Sequence, residues 1–374
     1  MVASDNTRAE EKNFRVESPA SASSQLGAIV IAKLELFDPV AHAPGEPRSP
    51  AGERADRLDE MLSRYLGPTV IRAMADDDVT EVYVNPQDGA IRLDTRSRGK
   101  IASGTMIDAH RVEMFLNAVA ARLGVTLTSD SPRPEAELPA ATFAGSRLQG
   151  FVPPVTSGPA FNIRKPPSVV YSLDDYVAGG TLTRTQCAAL QSGVTERYNI
   201  LIAGGTNTGK TTLANAVLRE ITDRFPSERL VVLEDTVELQ CAALDHLALR
   251  TNRHVTLADL VKSALRTSPN RIIVGEVRGV EALDLLDAWA TGHPGGVATV
   301  HAASAEGALL RLDRLAQRAN VPPQTALVAE AIHLVVAIEG GNKGRRVTDL
   351  VRVNGLDTDG RFVLHHLNAS GEWI

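Results

Sequence analysis

The sequence has little cysteine and few aromatic residues. Only two cysteines, Cys187 and Cys241, occur among 374 residues, and aromatic side chains make up 4% of the chain. Neither cysteine stands in a CxxC or Cys/His spacing, which argues against a zinc module and against a disulfide framework. Both are expected to be core residues, since free cysteine packs as a small apolar side chain in a reducing cytosol.

An excess of positive charge and long apolar runs are also missing. The 39 basic and 45 acidic residues leave a formal charge of -6, so a surface that coats nucleic acid is not predicted and direct DNA binding is not expected. No apolar run reaches the roughly 18 residues that a membrane-spanning helix needs. The hydrophobic share of 43% is that of a globular protein, and the length predicts two domains.

Proline marks the first segment of the chain. Five of the 20 prolines lie in residues 1–54, among many Ala, Ser and charged residues, and this composition predicts a disordered tail. Its apolar island at 26–32 is short and lies between acidic residues, which argues against a signal peptide.

Residues 55–167 predict a smaller α+β domain. Apolar residues at a spacing of three to four predict helices over 57–66 and 108–123, and Gly67-Pro68 is expected to end the first of them. Short alternating runs predict strands at 79–85, 90–93, 146–152 and 160–163. Residues 168–180, which end in Gly179-Gly180, are predicted to be a linker.

From residue 181 to 374 the pattern becomes an alternation of strands and helices. Short runs rich in Val and Ile predict buried strands at 199–203, 230–233, 271–274, 297–300 and 334–338. Helices are predicted between them at 211–224, 257–265 and 280–290. This alternation predicts an α/β fold with a mostly parallel sheet, followed by two or three antiparallel strands over 346–367.

The strongest motif follows the first strand of that sheet and opens a helix. It reads Gly204-Gly205-Thr206-Asn207-Thr208-Gly209-Lys210-Thr211-Thr212 and contains a complete GxxxxGKT. Glycines let successive backbone amides point at phosphate oxygens, and the helix adds its positive end. Lys210 is expected to bridge the terminal phosphates, and the Thr211 hydroxyl is expected to coordinate Mg²⁺.

Two carboxylates follow the next strands, at the edge where a parallel sheet presents its ligand. Glu234 comes after 230–233, and Glu276 after 271–275. A carboxylate there can hold Mg²⁺, the role considered for Glu234, or accept a proton from attacking water. Either residue alone is more often a helix cap or a surface charge, but a P-loop in the same sheet favours chemistry. Which of the two activates water stays open.

Three further residues are candidates for the site. His301 ends another apolar strand, where it can be a structural residue or a sensor of the terminal phosphate. Arg147 and Arg164 precede the linker. They are either solvated surface charges or guanidinium groups that clamp phosphate from outside the P-loop domain. In the second case their contact requires the two domains to close on each other.

Four motifs together resemble the secretion-ATPase superfamily. Residues 204–212, 233–239, 274–279 and 291–302 match its Walker A, Asp box, Walker B and His box in order and spacing. The resemblance covers about residues 57–340 and is greatest for the conjugative-transfer ATPases of the type IV secretion traffic-ATPase branch. The stretches around Arg147 and around Arg164 resemble the segment of the family's N-terminal domain that reaches the nucleotide.

This resemblance implies a RecA-like P-loop NTPase domain, with ATP and Mg²⁺ as ligands, preceded by the smaller domain. It also implies a homo-oligomer, a hexameric ring at the cytoplasmic face of the inner membrane, with inner-membrane components of a secretion or conjugation machine as partners. Alternatives are a pilus-retraction or other secretion ATPase and a nucleotide-gated scaffold. A DNA helicase has no support from the charge or from the few aromatic residues.

Overall fold

The computed structural model describes residues 50–374 except residues 168, 253 and 341–343, with side chains from residue 57 onward. Nearly all of the predicted tail lies outside the described residues. The first described helix, α1 (Pro50–Ala75), begins at Pro50. The described residues up to Arg64 belong to one unit and Tyr65–Ile374 to a second, which contains all the other described elements.

The range of α1 comprises two helical segments, which meet where the sequence predicted the end of a helix. Gly67 leaves the helical conformation, with φ 79° and ψ 174°, but the chain resumes the helix at Pro68. Proline is tolerated in the first turn of a helix because the amide that it lacks has no partner there. Gly67 therefore separates two helical segments, and the predicted end of the first helix at Gly67-Pro68 is confirmed.

The first sheet is antiparallel and is covered by a helix. Its elements are β1 (Val79–Val84), β2 (Ala90–Thr95), β3 (Gly99–Met106), α2 (Ala109–Arg122), β4 (Glu135–Glu137), α3 (Ala140–Phe143), β5 (Arg147–Phe151) and β6 (Ala160–Arg164). The strand order is β3-β2-β1-β6-β5-β4. The ring of Phe115 on α2 packs edge-on against Phe161 of β6, with centroids 5.6 Å apart.

The second sheet is mostly parallel, as predicted. Its elements are α4 (Leu173–Ala178), α5 (Arg184–Thr195), β7 (Ile200–Gly204), α6 (Lys210–Arg224), β8 (Leu230–Glu234), β9 (His246–Arg250), α7 (Leu257–Ala264), β10 (Arg271–Val274), α8 (Glu281–Ala290), β11 (Val297–His301), α9 (Ala305–Ala316), a 3₁₀ turn (Gln317–Ala319), α10 (Thr325–Ala331), β12 (Leu334–Glu339), β13 (Arg346–Leu356) and β14 (Phe362–His366). The order is β14-β13-β12-β7-β11-β10-β8-β9. Only the pairs β12–β13 and β13–β14 are antiparallel.

Helices cover both faces of this sheet. Successive residues of β7 alternate between two apolar cores: Leu201 joins the core under α7 to α10, and Ile202 joins the core under α4 to α6. Since strand side chains alternate between faces, a strand buried on both sides is apolar throughout. For this reason the parallel strands were predictable from apolar runs alone. The predicted α/β class is confirmed.

The predicted linker contains a helix that the sequence reading did not anticipate. Helix α4 lies inside 168–180, and its Leu173 and Tyr176 are buried in the second of these cores. Ser172 starts this helix because its hydroxyl accepts from the Asp175 amide, while the Asp175 carboxylate accepts from the Ser172 amide. The linker prediction is therefore wrong for residues 173–178. The division of the chain into domains stays a prediction, which the two separate sheets support.

Within the described part of the chain, no helix combines the length and the apolar character needed to span a bilayer.

Candidate nucleotide site

The loop between β7 and α6 is closely packed against the sheet. A Cβ on Gly204 would lie 2.5 Å from the Thr208 hydroxyl and 2.6 Å from the Ile338 carbonyl oxygen, so only glycine fits there. Gly209 has φ 95°, in the left-handed region that favours glycine, and helix α6 begins immediately after it. No described side chain caps this helix, so its first amides have no side-chain acceptor and favour an anion.

Lys210 and Thr211 reach polar partners within the chain. The Lys210 ammonium donates to the Gly205 carbonyl oxygen at 2.8 Å, and the Thr211 hydroxyl donates to Glu238 Oε2 at 3.0 Å. Burial lowers the pKa of Lys210, and the negative charge of Glu276 opposes that effect. The hydroxyl and the carboxylate are the oxygen donors that Mg²⁺ prefers, so these residues fit a nucleotide with its metal.

Glu234, the last residue of β8, is 5% exposed. Its Oε1 accepts hydrogen bonds from the backbone amides of Glu238 and Leu239, each at 2.9 Å. Burial raises the pKa of this carboxyl to about 7, although the two amides act in the opposite direction. Glu234 therefore closes the turn that brings Glu238 to Thr211. Its predicted role as a metal ligand stays a prediction.

Replacing Glu234 with glutamine should stabilise the protein at high pH and have little effect at low pH. The pKa of about 7 lies above the ordinary value of 4.5, so the contribution of this carboxyl to stability is fully present below pH 4.5 and is lost as the pH rises to about 7. A neutral amide that still accepts both hydrogen bonds escapes this loss. We expect a gain of about 1–3 kcal/mol at pH 8, and almost none at pH 4.5, in urea unfolding.

The exposed Glu330 on α10 provides the control, since Glu330→Gln should show no such difference. An equal effect of Glu234→Gln at both pH values would contradict the assignment.

Glu276 forms an ion pair with an arginine of its own motif. Glu276 Oε2 lies 2.6 Å from Arg278 Nη2, and Arg278 Nη1 lies 3.7 Å from Asp235 Oδ2. The pocket at this edge of the sheet is lined by Arg147, Thr211, Glu234, Asp235, Thr236, Glu238, Gly275, Glu276 and Arg278. The two predicted carboxylates therefore line one cavity with a residue of the P-loop helix.

The two predicted arginines lie opposite each other on β5 and β6. Arg147 lines the pocket with Thr211 and Glu276. Arg164 is directed to Glu81, with Nε 3.7 Å from Oε1, and its positive charge contributes to lowering the pKa of Lys210. The structure thus brings Arg147 into the pocket, whereas Arg164 acts on the P-loop through its charge.

The two halves of the motif at 291–302 lie at opposite ends of β11. His301 ends the strand beside Gly204 of β7 and is exposed. The glycines precede the strand, and the Asn199 side chain accepts from both the Gly295 and the Gly296 amides. A Cβ on Gly296 would lie 2.2 Å from Trp289 Nε1. The glycine half is therefore structural, and of the two halves only His301 stands beside the P-loop.

Asp235, Glu238 and Arg278 were not selected from the sequence. All three lie within motifs that the sequence reading identified, and each is one to four residues from a selected glutamate. Their signal was a charged residue that comes soon after a buried strand. Their pairing with Thr211 and Glu276 depends on contacts between strands, which spacing along the chain does not reveal.

Sequence comparisons agree with the motifs. The family described as "Type II/IV secretion system protein" matches residues 56–340. A probable conjugal transfer protein TrbB of Sinorhizobium fredii is 43% identical over 306 residues, which cover 82% of this chain and 92% of that protein. The type IV secretion system protein PtlH of Bordetella pertussis is 33% identical over 319 residues, covering 75% and 91%.

Solved structures show the same fold. The pilus retraction motor PilT with bound ADP has a TM-score of 0.53 at 15% identity, covering 79% of this chain and 80% of that one. The ATPase DotB of Legionella pneumophila has a TM-score of 0.51 at 17% identity, covering 87% and 82%. The resemblance seen in the motifs is confirmed: the chain belongs to the type II/IV secretion system protein family.

Proposed function

We propose that this chain is an ATP-hydrolysing motor of a conjugative type IV secretion system. The observation that carries the proposal is that Arg147 of the first sheet lines the same pocket as Thr211, Glu238 and Glu276 of the second. A P-loop alone binds nucleotide, whereas an added base and an added arginine are the parts that hydrolysis uses. The relatives whose names refer to conjugal transfer support conjugation as the process that this motor serves.

ATP is held by the loop and by Lys210. The amides of residues 205–209 and the uncapped start of α6 favour phosphate oxygens. Lys210 exchanges its bond to the Gly205 carbonyl oxygen for the terminal phosphates. Thr211 and Glu238 would hold Mg²⁺, which would supply positive charge to the bound phosphates.

Glu276 is the proposed base, and Glu234 the residue that orders the loop. One oxygen of Glu234 is occupied by two amides, and with a pKa of about 7 the group is partly protonated at neutral pH. Glu276 instead pairs with Arg278, whose side chain is 53% exposed, and in the proposed mechanism it gives up this partner for the attacking water. His301, level with Gly204, senses the terminal phosphate.

The proposal includes the assembly implied by the family. We place the P-loop in a RecA-like domain over 181–374, preceded by the smaller domain over 55–167. The chain forms a homo-oligomer, a hexameric ring, at the cytoplasmic face of the inner membrane, where inner-membrane components of the secretion machine are its partners. The net charge of -6 gives no support to direct DNA binding.

Conjugation in donor cells tests the proposed function. A strain from which the gene is deleted is complemented with the wild type, with Lys210→Ala or with Lys262→Ala. Lys262 is the control because it lies 63% exposed on α7, paired with Asp284. We expect Lys210→Ala to lower plasmid transfer by at least about a hundredfold, since the charge on the phosphates is worth several kcal/mol, and Lys262→Ala to transfer normally.

Normal transfer by cells that contain the Lys210→Ala protein would contradict a role for ATP hydrolysis in conjugation. Normal transfer with pili that no longer retract would favour the retraction motor.

A further inference from the structure

Arg345 lies against the P-loop from the side opposite the catalytic carboxylates. A Cβ on Gly209 would be 3.0 Å from Arg345 Cδ and 3.2 Å from its Nε, so this side chain passes directly over the last glycine of the loop. Gly209 immediately precedes Lys210, the first residue of α6. The guanidinium therefore stands beside the residues that are proposed to bind phosphate.

Strand register explains this position. β12 runs parallel to β7, with Ile338 level with Gly204, and β13 returns beside β12, with Arg346 level with Glu339. Arg345 therefore enters β13 at the edge of the sheet where the P-loop begins. A Cβ on Gly340 would lie 3.1 Å from the Thr208 Cα, so both described ends of the β12–β13 connection border the loop.

The charges around Arg345 leave a place for an anion. Its side chain is exposed, and no carboxylate of the described residues forms an ion pair with it. It adjoins Gly209, which directly precedes the positive start of α6, and that helix end repels a cation. A guanidinium beside the positive end of a helix is expected where a multiply charged anion is bound.

We propose that Arg345 binds a phosphate of the nucleotide and contributes to affinity, with little part in the chemical step. This inference rests on the proposed function of the P-loop. Strand β12 lies on one side of β7, whereas β10 and β8, which carry Glu276 and Glu234, lie on the other. In this proposal a guanidinium on the β12 side contacts the bound phosphates equally in the ground state and in the transition state. Its removal should therefore raise KM and leave kcat unchanged.

Two measurements on the full chain test this inference. They are the affinity for a fluorescent ADP analogue and the steady-state KM and kcat of ATP hydrolysis. We expect Arg345→Ala to weaken ADP binding about tenfold and to raise KM for ATP by a similar factor, since a charged hydrogen bond at an exposed site contributes at the lower end of its usual range. Turnover at saturating ATP should stay within about twofold of the wild type. Arg345→Lys should be intermediate, because it keeps the charge and loses the fork.

Arg346→Ala is the matched control, since it removes the same charge one residue farther along and should bind ADP like the wild type. Equal weakening by Arg346→Ala would overturn the inference in favour of a general effect of charge. Unchanged affinity in Arg345→Ala, or a loss of kcat at unchanged KM, would also overturn it and leave the proposed function standing. A wild type that binds no ADP would instead refute the proposed function.

Discussion

Replacing Arg147 with alanine should lower ATP turnover by about a thousandfold or more, because an arginine from outside the P-loop stabilises charge in the phosphoryl-transfer transition state. Arg147 comes from β5 of the first sheet and lines the pocket together with Thr211 and Glu276. Phosphate release at saturating ATP measures the loss. Binding of ADP should change much less, because the terminal phosphate is absent from it.

Arg164→Ala is the matched variant on the neighbouring strand. Its side chain is directed to Glu81 and influences Lys210 only through its charge, so we expect a smaller loss of turnover than for Arg147→Ala. Wild-type turnover in Arg147→Ala would show that this residue is a surface charge, whose replacement typically changes stability by less than about half a kcal/mol. A larger loss of turnover in Arg164→Ala than in Arg147→Ala would assign the stabilisation of the transition state to Arg164 instead.

Replacing Glu276 with glutamine should slow hydrolysis by about a hundredfold to ten-thousandfold while ATP still binds. The amide keeps the shape of the side chain and removes the base, and general bases contribute rate factors of this size. Equilibrium binding of ATP with Mg²⁺, followed by single-turnover hydrolysis, separates the two effects. The protein should therefore accumulate bound ATP.

Glu234→Gln is the comparison for this experiment. Because glutamine can still accept from the Glu238 and Leu239 amides, its turnover should fall far less than that of Glu276→Gln. A loss of ATP affinity in Glu276→Gln as large as the loss of rate would make Glu276 a residue that holds the ligand. If only Glu234→Gln accumulated ATP, Glu234 would be the base.

The parallel strands and the P-loop were predictable from the sequence because their signals are local. Strands such as β10 (Arg271–Val274) are apolar throughout and buried on both faces, and the phosphate loop is one continuous motif. Strand β3 was not predicted, because six of its eight residues are exposed and only two are half-buried, which leaves too weak an apolar pattern in the sequence. Helix α4 was missed because a short capped helix between glycines resembles a linker.

The site was predictable residue by residue but not as an arrangement. Arg147 and Arg164 carry the same charge and lie in register on neighbouring strands, so only the fold shows that one lines the pocket and the other reaches Glu81. Contact between Thr211 and Glu238 requires the turn that Glu234 closes. Arg345 reaches Gly209 through the pairing of β7, β12 and β13, which local sequence patterns do not specify.

The most direct test is the rate of phosphate release by purified wild type and Lys210→Ala at saturating ATP and Mg²⁺, with urea unfolding as the check on folding. The wild type should hydrolyse ATP with saturation kinetics. Lys210→Ala should be slower by at least about a hundredfold, because the ammonium stabilises charge on the terminal phosphates, and should unfold at the same urea concentration. Equal rates from the two folded proteins would contradict hydrolysis in the P-loop and with it the proposed motor.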